Sequence, residues 1–129
     1  MEEKLLEGLF YMFPSCSIKY EVVVSRQNIM FREHITKPRK GSTNFTSILM
    51  ENVIGCRIFE AKSKKEKYCC LGISTLLKNK LGVRERKQFT FCIFQSDDKQ
   101  ENMTIAESWA KTLSWLAKYP DIAVDELYG

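Results

Sequence analysis

The sequence predicts a mainly β domain that ends in one α-helix, and three observations support this fold class. Residues 104–119 place apolar side chains four, four and three positions apart, which puts them on one face of a helix. Thr104 and Glu107 match a capping box, and Pro120 marks a helix end. The segments upstream are rich in β-branched and aromatic residues, and their short connections require antiparallel pairing. The apolar stripe of the helix consists of Ile105, Trp109, Leu113 and Leu116.

Six or seven strands are expected before the helix. The predicted strand ranges are 8–13, 17–25, 29–34, 47–61, 68–77 and 88–95. The predicted connecting segments include a loop at 36–46, basic turns at 62–67 and 78–87, and an acidic loop at 96–102. Gly55, near the middle of the longest strand range, predicts a bulge that lets the sheet curl. A curled sheet has an open end, and Trp109 in the inward stripe of the helix is suited to close it.

The length of 129 residues and the 44% hydrophobic content support one domain, expected at 1–120, with 121–129 as a tail or the start of a linker. No apolar run approaches the ~20 residues of a transmembrane helix. The first residues are acidic where a secretory signal would be basic, so a cytoplasmic location is expected.

The sequence offers no pattern of a catalytic, cofactor or metal site. The five cysteines show no zinc-site spacing, and we expect reduced thiols that fill small apolar spaces. Cys69 and Cys70 should face opposite sides of a strand, with at least one of them in the core. His34 is the one histidine and has no Ser or Cys at nucleophile-pair spacing. This chain by itself is therefore expected not to be an enzyme.

Positive charge is concentrated in three segments. Residues 37–40, 62–67 and 78–87 hold twelve Lys or Arg and two Glu, a local charge of +10, which leaves −6 for the remainder of a chain of net charge +4. This polarity predicts a basic face for an anionic partner, although solvated turns without a ligand are the alternative. The sequence leaves open whether the two basic turns share one end of the sheet. The candidate lipid-binding cations are Arg26, Arg32, Lys37, Arg39, Lys40, Lys62, Lys64, Lys65, Lys67, Lys78, Lys80, Arg84, Arg86 and Lys87.

Short motifs spread over the chain add a family resemblance. They are Gly8-Leu9-Phe10, Val22-Val23-Val24-Ser25, Met30-Phe31-Arg32, Val53-Ile54-Gly55, Leu71-Gly72-Ile73 and, in the helix, Trp109, Leu113, Trp115 and Leu116. An antiparallel sheet bent into a partly open barrel and capped by a tryptophan-bearing C-terminal helix is the pleckstrin-homology pattern, whose outline PTB-type domains share. With these motifs the chain resembles the N-terminal domain of the ceramide kinase and ceramide-kinase-like family, and more loosely plant sphingosine kinases.

The resemblance implies a membrane-targeting and regulatory domain of a sphingolipid kinase that sits peripherally at membranes. Its ligands would be phosphoinositide or other anionic headgroups, and its own C-terminal catalytic domain would be a partner. ATP-dependent lipid phosphorylation would belong to that catalytic domain, whose G-G-D-G-T and N-P-x-x-G signatures do not occur in this sequence. Phosphoinositide recognition in this fold usually needs convergent cations near the first two strands. Lys19, Arg26 and Arg32 are spaced too widely for that compact pattern.

A protein-interaction domain without a lipid ligand is the alternative function, acting by interdomain docking, autoinhibition or homodimerisation. Trp115 falls outside the apolar stripe of the helix, and an exposed Trp115 would suit such a contact. Core packing of Trp115 on Phe10 or Phe13 is the other interpretation. A basic RNA-binding domain is a third hypothesis, suggested by the aromatic residues of 88–95. Those aromatic residues do not all share one strand face, so no nucleic-acid partner is expected.

Overall fold

A computed structural model describes residues 3–13, 16–34, 45–63 and 66–118. The prediction of a mainly β chain with one C-terminal helix is confirmed. The elements are β1 (Leu6–Met12), β2 (Lys19–Val24), β3 (Asn28–Glu33), β4 (Phe45–Leu49), a 3₁₀ turn (Met50–Asn52), β5 (Val53–Ser63), β6 (Glu66–Lys78), β7 (Arg84–Ile93) and α1 (Lys99–Ala117). Across the described ranges, no helix is long and apolar enough to cross a membrane.

The seven strands form one antiparallel sheet in the order β4-β3-β2-β1-β7-β6-β5. β4 and β5 are the two edges of the sheet, and in the described part of the chain no ladder joins them, so the sheet is open. The register between β5 and β6 shifts between Val53 and Gly55, which confirms the irregularity expected at this glycine.

The strands alternate as their sequences predict, and one face of the sheet forms the core. The largest fully buried side chains on the strands include Phe10, Val22, Val24, Ile29, Ile48, Leu71, Ile73, Phe91 and Ile93. Phe31 links the two halves of the sheet, because its ring lies edge-on to Phe89 and Phe91 at centroid distances of 5.2 and 5.3 Å.

Helix α1 covers the open side of this core. Trp109 is 4% exposed, and its ring meets that of Phe10 edge to face at 4.8 Å. The buried Asn102 fixes the start of the helix against the end of β7, because its Oδ1 accepts the N–H groups of Gln95 and Ser96 at 3.1 Å. Its amide nitrogen donates to the carbonyl of Ser96 at 2.8 Å. The expected role of Trp109 as the inward plug is confirmed.

The predicted start of the helix is wrong by five residues. Asp98, not Thr104, is the N-cap, and its side chain accepts the N–H of Gln100 at 2.9 Å. Thr104 lies inside the helix, where its hydroxyl donates to the carbonyl of Gln100 at 3.0 Å. Most of the predicted acidic loop at 96–102 is therefore helical. The helix ends at Ala117, and Lys118 turns into the left-handed region at φ 59°.

Two further boundaries differ from the prediction. The expected single stretch at 47–61 is divided by the 3₁₀ turn, because Met50 is buried there and its N–H bonds the carbonyl of Gln27 at 2.7 Å. Half of the expected basic turn at 78–87 is paired strand, since β6 continues to Lys78 and β7 begins at Arg84.

Removing the buried indole of Trp109 should lower the free energy of unfolding far more than removing the exposed indole of Trp115. We expect Trp109→Ala to lower the free energy of unfolding by roughly 3–5 kcal/mol, since it opens a cavity against Phe10. Trp115→Ala is the matched control and should change it by less than about 1 kcal/mol, because Trp115 is 65% exposed. Urea unfolding followed by circular dichroism measures both values, and equal losses would contradict this account of the core.

Candidate functional site

The candidate site is a hairpin that projects beyond the rest of the sheet, which we call the basic arm (residues 78–88). β6 and β7 pair all the way to Lys78 and Arg84. The β1–β7 ladder pairs Tyr11 with Cys92 and Met12 with Phe91, so the first residues of β7 lie past the end of β1. Residues 84–88 are all exposed, as expected for a two-stranded extension that leaves the core.

The turn of the basic arm is organised by Asn79. Its Oδ1 accepts the N–H groups of Leu81 and Val83 at 2.8 and 3.0 Å, and its backbone N–H donates to the carbonyl of Val83. Gly82 supplies the positive φ of 80° that this turn requires. The turn therefore holds two apolar side chains in water at its tip, with Leu81 87% and Val83 57% exposed.

Positively charged side chains lie next to the apolar tip, on the two strands of the arm. Lys78 and Arg84 face each other across the hairpin, and strand alternation puts Arg86 on the same outer face. Lys87 lies on the other face, with its Nζ 5.2 Å from the ring centroid of Phe89. Glu85 is the one carboxylate of the arm, and it accepts the side-chain amide of Asn79 at 2.8 Å.

The cations of the basic arm have no salt-bridge partner among the described residues. Across the described ranges the salt bridges involve Lys4, Arg32 and His34 and no cation of the arm. Like charges directly opposite each other on a hairpin repel, and nothing on the outer face of this one offsets them. This arrangement favours an external anion.

Antiparallel connections decide which other basic segments lie near the arm. Residues 35–44, with Lys37, Arg39 and Lys40, are outside the described residues, but their anchors His34 and Phe45 are at the same end of the strands as the arm. Lys62 and Lys67 face each other beside the β5–β6 turn, which is at the opposite end of β6. The two basic turns therefore do not share an end. Lys64 and Lys65 are also outside the described residues.

Two candidate cations have partners within the domain. Arg32 Nε donates to Glu21 at 2.7 Å, and His34 Nδ1 lies 3.1 Å from the other oxygen of that carboxylate. The hydrogen bonds from Arg32 and then His34 hold the pKa of Glu21 below its ordinary value. Arg26, in the β2–β3 turn, lies over the ring of Trp115 at 5.7 Å.

Two grooves open on the surface. One of about 740 Å³ lies on the outer face of β1, β2 and β3. Its apolar lining includes Leu9, Val23, Met30 and Phe45, beside the Glu21 ion pair. The other, of about 610 Å³, lies at the C-terminal end of α1, and we call it the end groove.

Trp115, beside the end groove, is exposed rather than packed on Phe10 or Phe13, so the core interpretation is wrong.

The cysteines behave as core thiols. All five lie in described residues and none forms a disulfide. Cys70 is fully buried and Cys69 partly so, as expected for adjacent strand positions. Cys70 Sγ lies 3.8 Å from Cys92 Sγ. Burial raises the pKa of Cys16 to about 12 and that of Cys69 to about 11. The part of the chain that the structure describes contains no side-chain cluster suited to a metal ion.

Sequence reasoning found the cations of the arm but missed its tip. Leu81 and Val83 stand among charged residues of a predicted turn, where isolated apolar residues attract no attention. Residues 84–88 read RERKQ, all polar, so no apolar alternation marks them as a strand and the sequence carries no signal that separates this hairpin from a loop.

Comparisons with known proteins add no identification. No protein-family model matches the chain, and no curated protein matches it.

Alkaline pH should destabilise the domain through Cys69. The unfolded thiol ionises near its ordinary pKa of 9.0, whereas burial, reinforced by Glu60 and Glu107, raises the pKa of the folded thiol to about 11. The unfolded state therefore releases its proton first. The contribution of Cys69 to stability is complete below about pH 9 and is lost as the pH rises towards 11.

Urea unfolding at a series of alkaline pH values measures this loss. We expect the Cys69→Ala variant to lose less stability over this pH range than the parent, because the linked proton is gone. Background ionisation of lysine and tyrosine affects both proteins equally. An equal fall of the free energy of unfolding with pH in the parent and in Cys69→Ala would contradict the effect of Cys69.

Proposed function

We propose that this domain is the membrane-targeting and regulatory domain of a sphingolipid kinase of the ceramide or sphingosine kinase type. In this proposal it binds anionic lipid headgroups peripherally through the basic arm. The observation that supports the proposal most is the arm itself, with exposed Leu81 and Val83 at its tip and unneutralised cations behind them. Phosphoryl transfer would belong to a catalytic domain C-terminal to this one, so this chain alone would not be an enzyme.

A pleckstrin-homology-like fold is part of the proposal. The curved antiparallel sheet, the C-terminal helix and the burial of Trp109 against Phe10 agree with that pattern. The dispersed motifs shared with ceramide kinase N-terminal domains add support from the sequence. The segment with Lys37, Arg39 and Lys40 would act together with the arm in this proposal, which is supported by the position of its flanking residues His34 and Phe45 at the arm's end of the strands.

Two forces would hold the basic arm at a membrane. Leu81 and Val83 would leave water for the boundary between headgroups and acyl chains, and burying such a side chain is worth about 1.5–3 kcal/mol. Lys78, Arg84 and Arg86 would remain at the level of the headgroups, where each cation contributes about 1 kcal/mol. The turn is already fixed by Asn79, so little conformational entropy is lost on insertion.

Charge density, rather than a stereospecific pocket, would dominate headgroup choice. Residues 13–18, between β1 and β2, contain no Lys or Arg, so the usual first-hairpin source of phosphate ligands is missing here. Lys19, at the start of β2, is 5.6 Å from the ring centroid of Tyr11. Highly charged phosphoinositides should therefore bind best, with other anionic lipids following their surface charge.

The second candidate function is a protein-interaction domain that docks on its own catalytic domain or on a second copy. The observation that favours it is the 65% exposure of Trp115 beside the end groove. RNA binding has no comparable support, because Phe91 is fully buried and a base cannot stack on it.

Charge reversal on the arm should abolish most lipid binding. Lys78→Glu/Arg84→Glu removes two facing cations, which should weaken binding to phosphoinositide vesicles about 30-fold or more. Lys62→Glu/Lys67→Glu is the matched control, because it makes the same charge change in a facing pair at the opposite end of the sheet. Co-sedimentation with neutral and anionic vesicles at low and physiological salt measures both. Equal losses, or no binding by the parent to any anionic vesicle, would overturn the proposal.

The tip should contribute a part of the affinity that salt does not screen. We expect Leu81→Ser to weaken vesicle binding about tenfold at every salt concentration, because it removes an inserted apolar side chain. Leu81→Met keeps an apolar side chain at the tip and should bind like the parent. Neither substitution should change the thermal midpoint, since Leu81 is 87% exposed. A Leu81→Ser variant that binds like the parent would restrict the interaction to electrostatics.

A further inference from the structure

The end groove lies where the C-terminal end of α1 meets two turns of the sheet. Its walls come from the β2–β3 turn, the 3₁₀ turn and the last residues of α1. Backbone bonds fix the first two walls to each other, since the N–H of Met50 donates to the carbonyl of Gln27 at 2.7 Å. The groove is therefore preformed rather than opened by a ligand.

Apolar side chains of the end groove lie in water. Leu49 is 50% exposed, and Leu116 packs only partly against the core. Trp115 stands next to them and is 65% exposed, with Arg26 lying over its ring. A contiguous apolar surface of this kind on a small domain favours a polypeptide cover.

The rim of the end groove is basic. Arg26 and Lys118 line it, against the one carboxylate of Glu51. An acidic segment with apolar side chains would complement both the rim and the floor.

The chain itself leaves the domain at this rim. Lys118 adopts the left-handed conformation, and its N–H closes the helix on the carbonyl of Ser114 at 2.9 Å. Pro120 follows two residues later, and proline is not compatible with the interior of a helix. Residues 119–129 lie outside the described residues.

The sequence of this exit segment matches the chemistry of the groove. Residues 121–127 read DIAVDEL and carry three carboxylates and no cation. Ile122 and Val124 fall on one side of an extended segment, because side chains two positions apart share a face. Six extended residues beyond Lys118 span up to ~20 Å, which is enough to cross a groove whose edge is that residue.

We propose that residues 121–127 dock in the end groove of the same chain. Ile122 and Val124 cover Leu49 and Leu116, and the carboxylates of the segment lie near Arg26 and Lys118. Docking fixes the direction in which the chain continues beyond Lys118. This proposal is independent of lipid binding, since it uses neither the arm nor its cations.

Methyl NMR of the 129-residue chain tests the contact. We expect nuclear Overhauser effects between the methyl groups of Leu49 or Leu116 and those of Ile122 or Val124. Ile122→Asp/Val124→Asp should abolish them and shift the Leu49 and Leu116 signals, while the fold is unaffected. Ala123→Asp is the matched control, because it adds an acidic group on the opposite side of the segment, and it should leave both leucine signals in place.

Further samples separate the possible occupants. A free peptide of residues 119–129, added to the Ile122→Asp/Val124→Asp variant, should return the leucine signals towards their parent positions. Contacts seen only between labelled and unlabelled copies would show that a second chain fills the groove, and would overturn the proposal. Leucine signals that are identical in the parent and the double variant would overturn it as well.

Discussion

The packing of Trp109 on Phe10 joins the two halves of this domain. β1 stands between the group β4-β3-β2 and the group β7-β6-β5, and its ladder with β7 has two registered pairs, Tyr11 with Cys92 and Met12 with Phe91. So short a ladder cannot hold the halves together by backbone bonds alone. Helix α1 packs on β5, β6 and β7 while its indole lies 4.8 Å from the ring of Phe10 on β1. The closure of the core therefore rests on this contact, together with the packing of Phe31 on Phe89 and Phe91.

The antiparallel order of the strands also determines at which end of the sheet each hairpin turn lies. Consecutive hairpin turns must alternate between the two ends of a sheet, so the β6–β7 turn and the β5–β6 turn lie at opposite ends. The β2–β3 turn likewise lies at the end of its strands opposite the end from which the basic arm extends. The basic arm and the end groove are built from different residues, so variants of one surface leave the other unchanged.

The features that depend on the local alternation of apolar and polar residues could be predicted from the sequence. The strand faces, the inward Trp109 and the single C-terminal helix all follow from side-chain periodicity over a few residues. The helix start at Asp98 was missed because the first turn is polar and adds nothing to the apolar stripe. The division of 47–61 was missed because it depends on the long-range bond between Met50 and Gln27. The exposure of Trp115 agrees with its place outside the apolar stripe of the helix, but the choice between exposure and packing on Phe10 or Phe13 depends on the position of the whole helix.

The basic arm shows most clearly which properties the composition predicts and which depend on the three-dimensional structure. The composition identified its cations. Only the pairing of Lys78 with Arg84 in the structure places these two side chains next to each other on one face of the hairpin. Folding gives no reason for that arrangement, since facing cations repel and Leu81 and Val83 bury little of their surface. Asn79 nevertheless holds the tip with hydrogen bonds to both residues. A turn that is ordered around features that do not stabilise the core supports the proposal of a partner outside the domain.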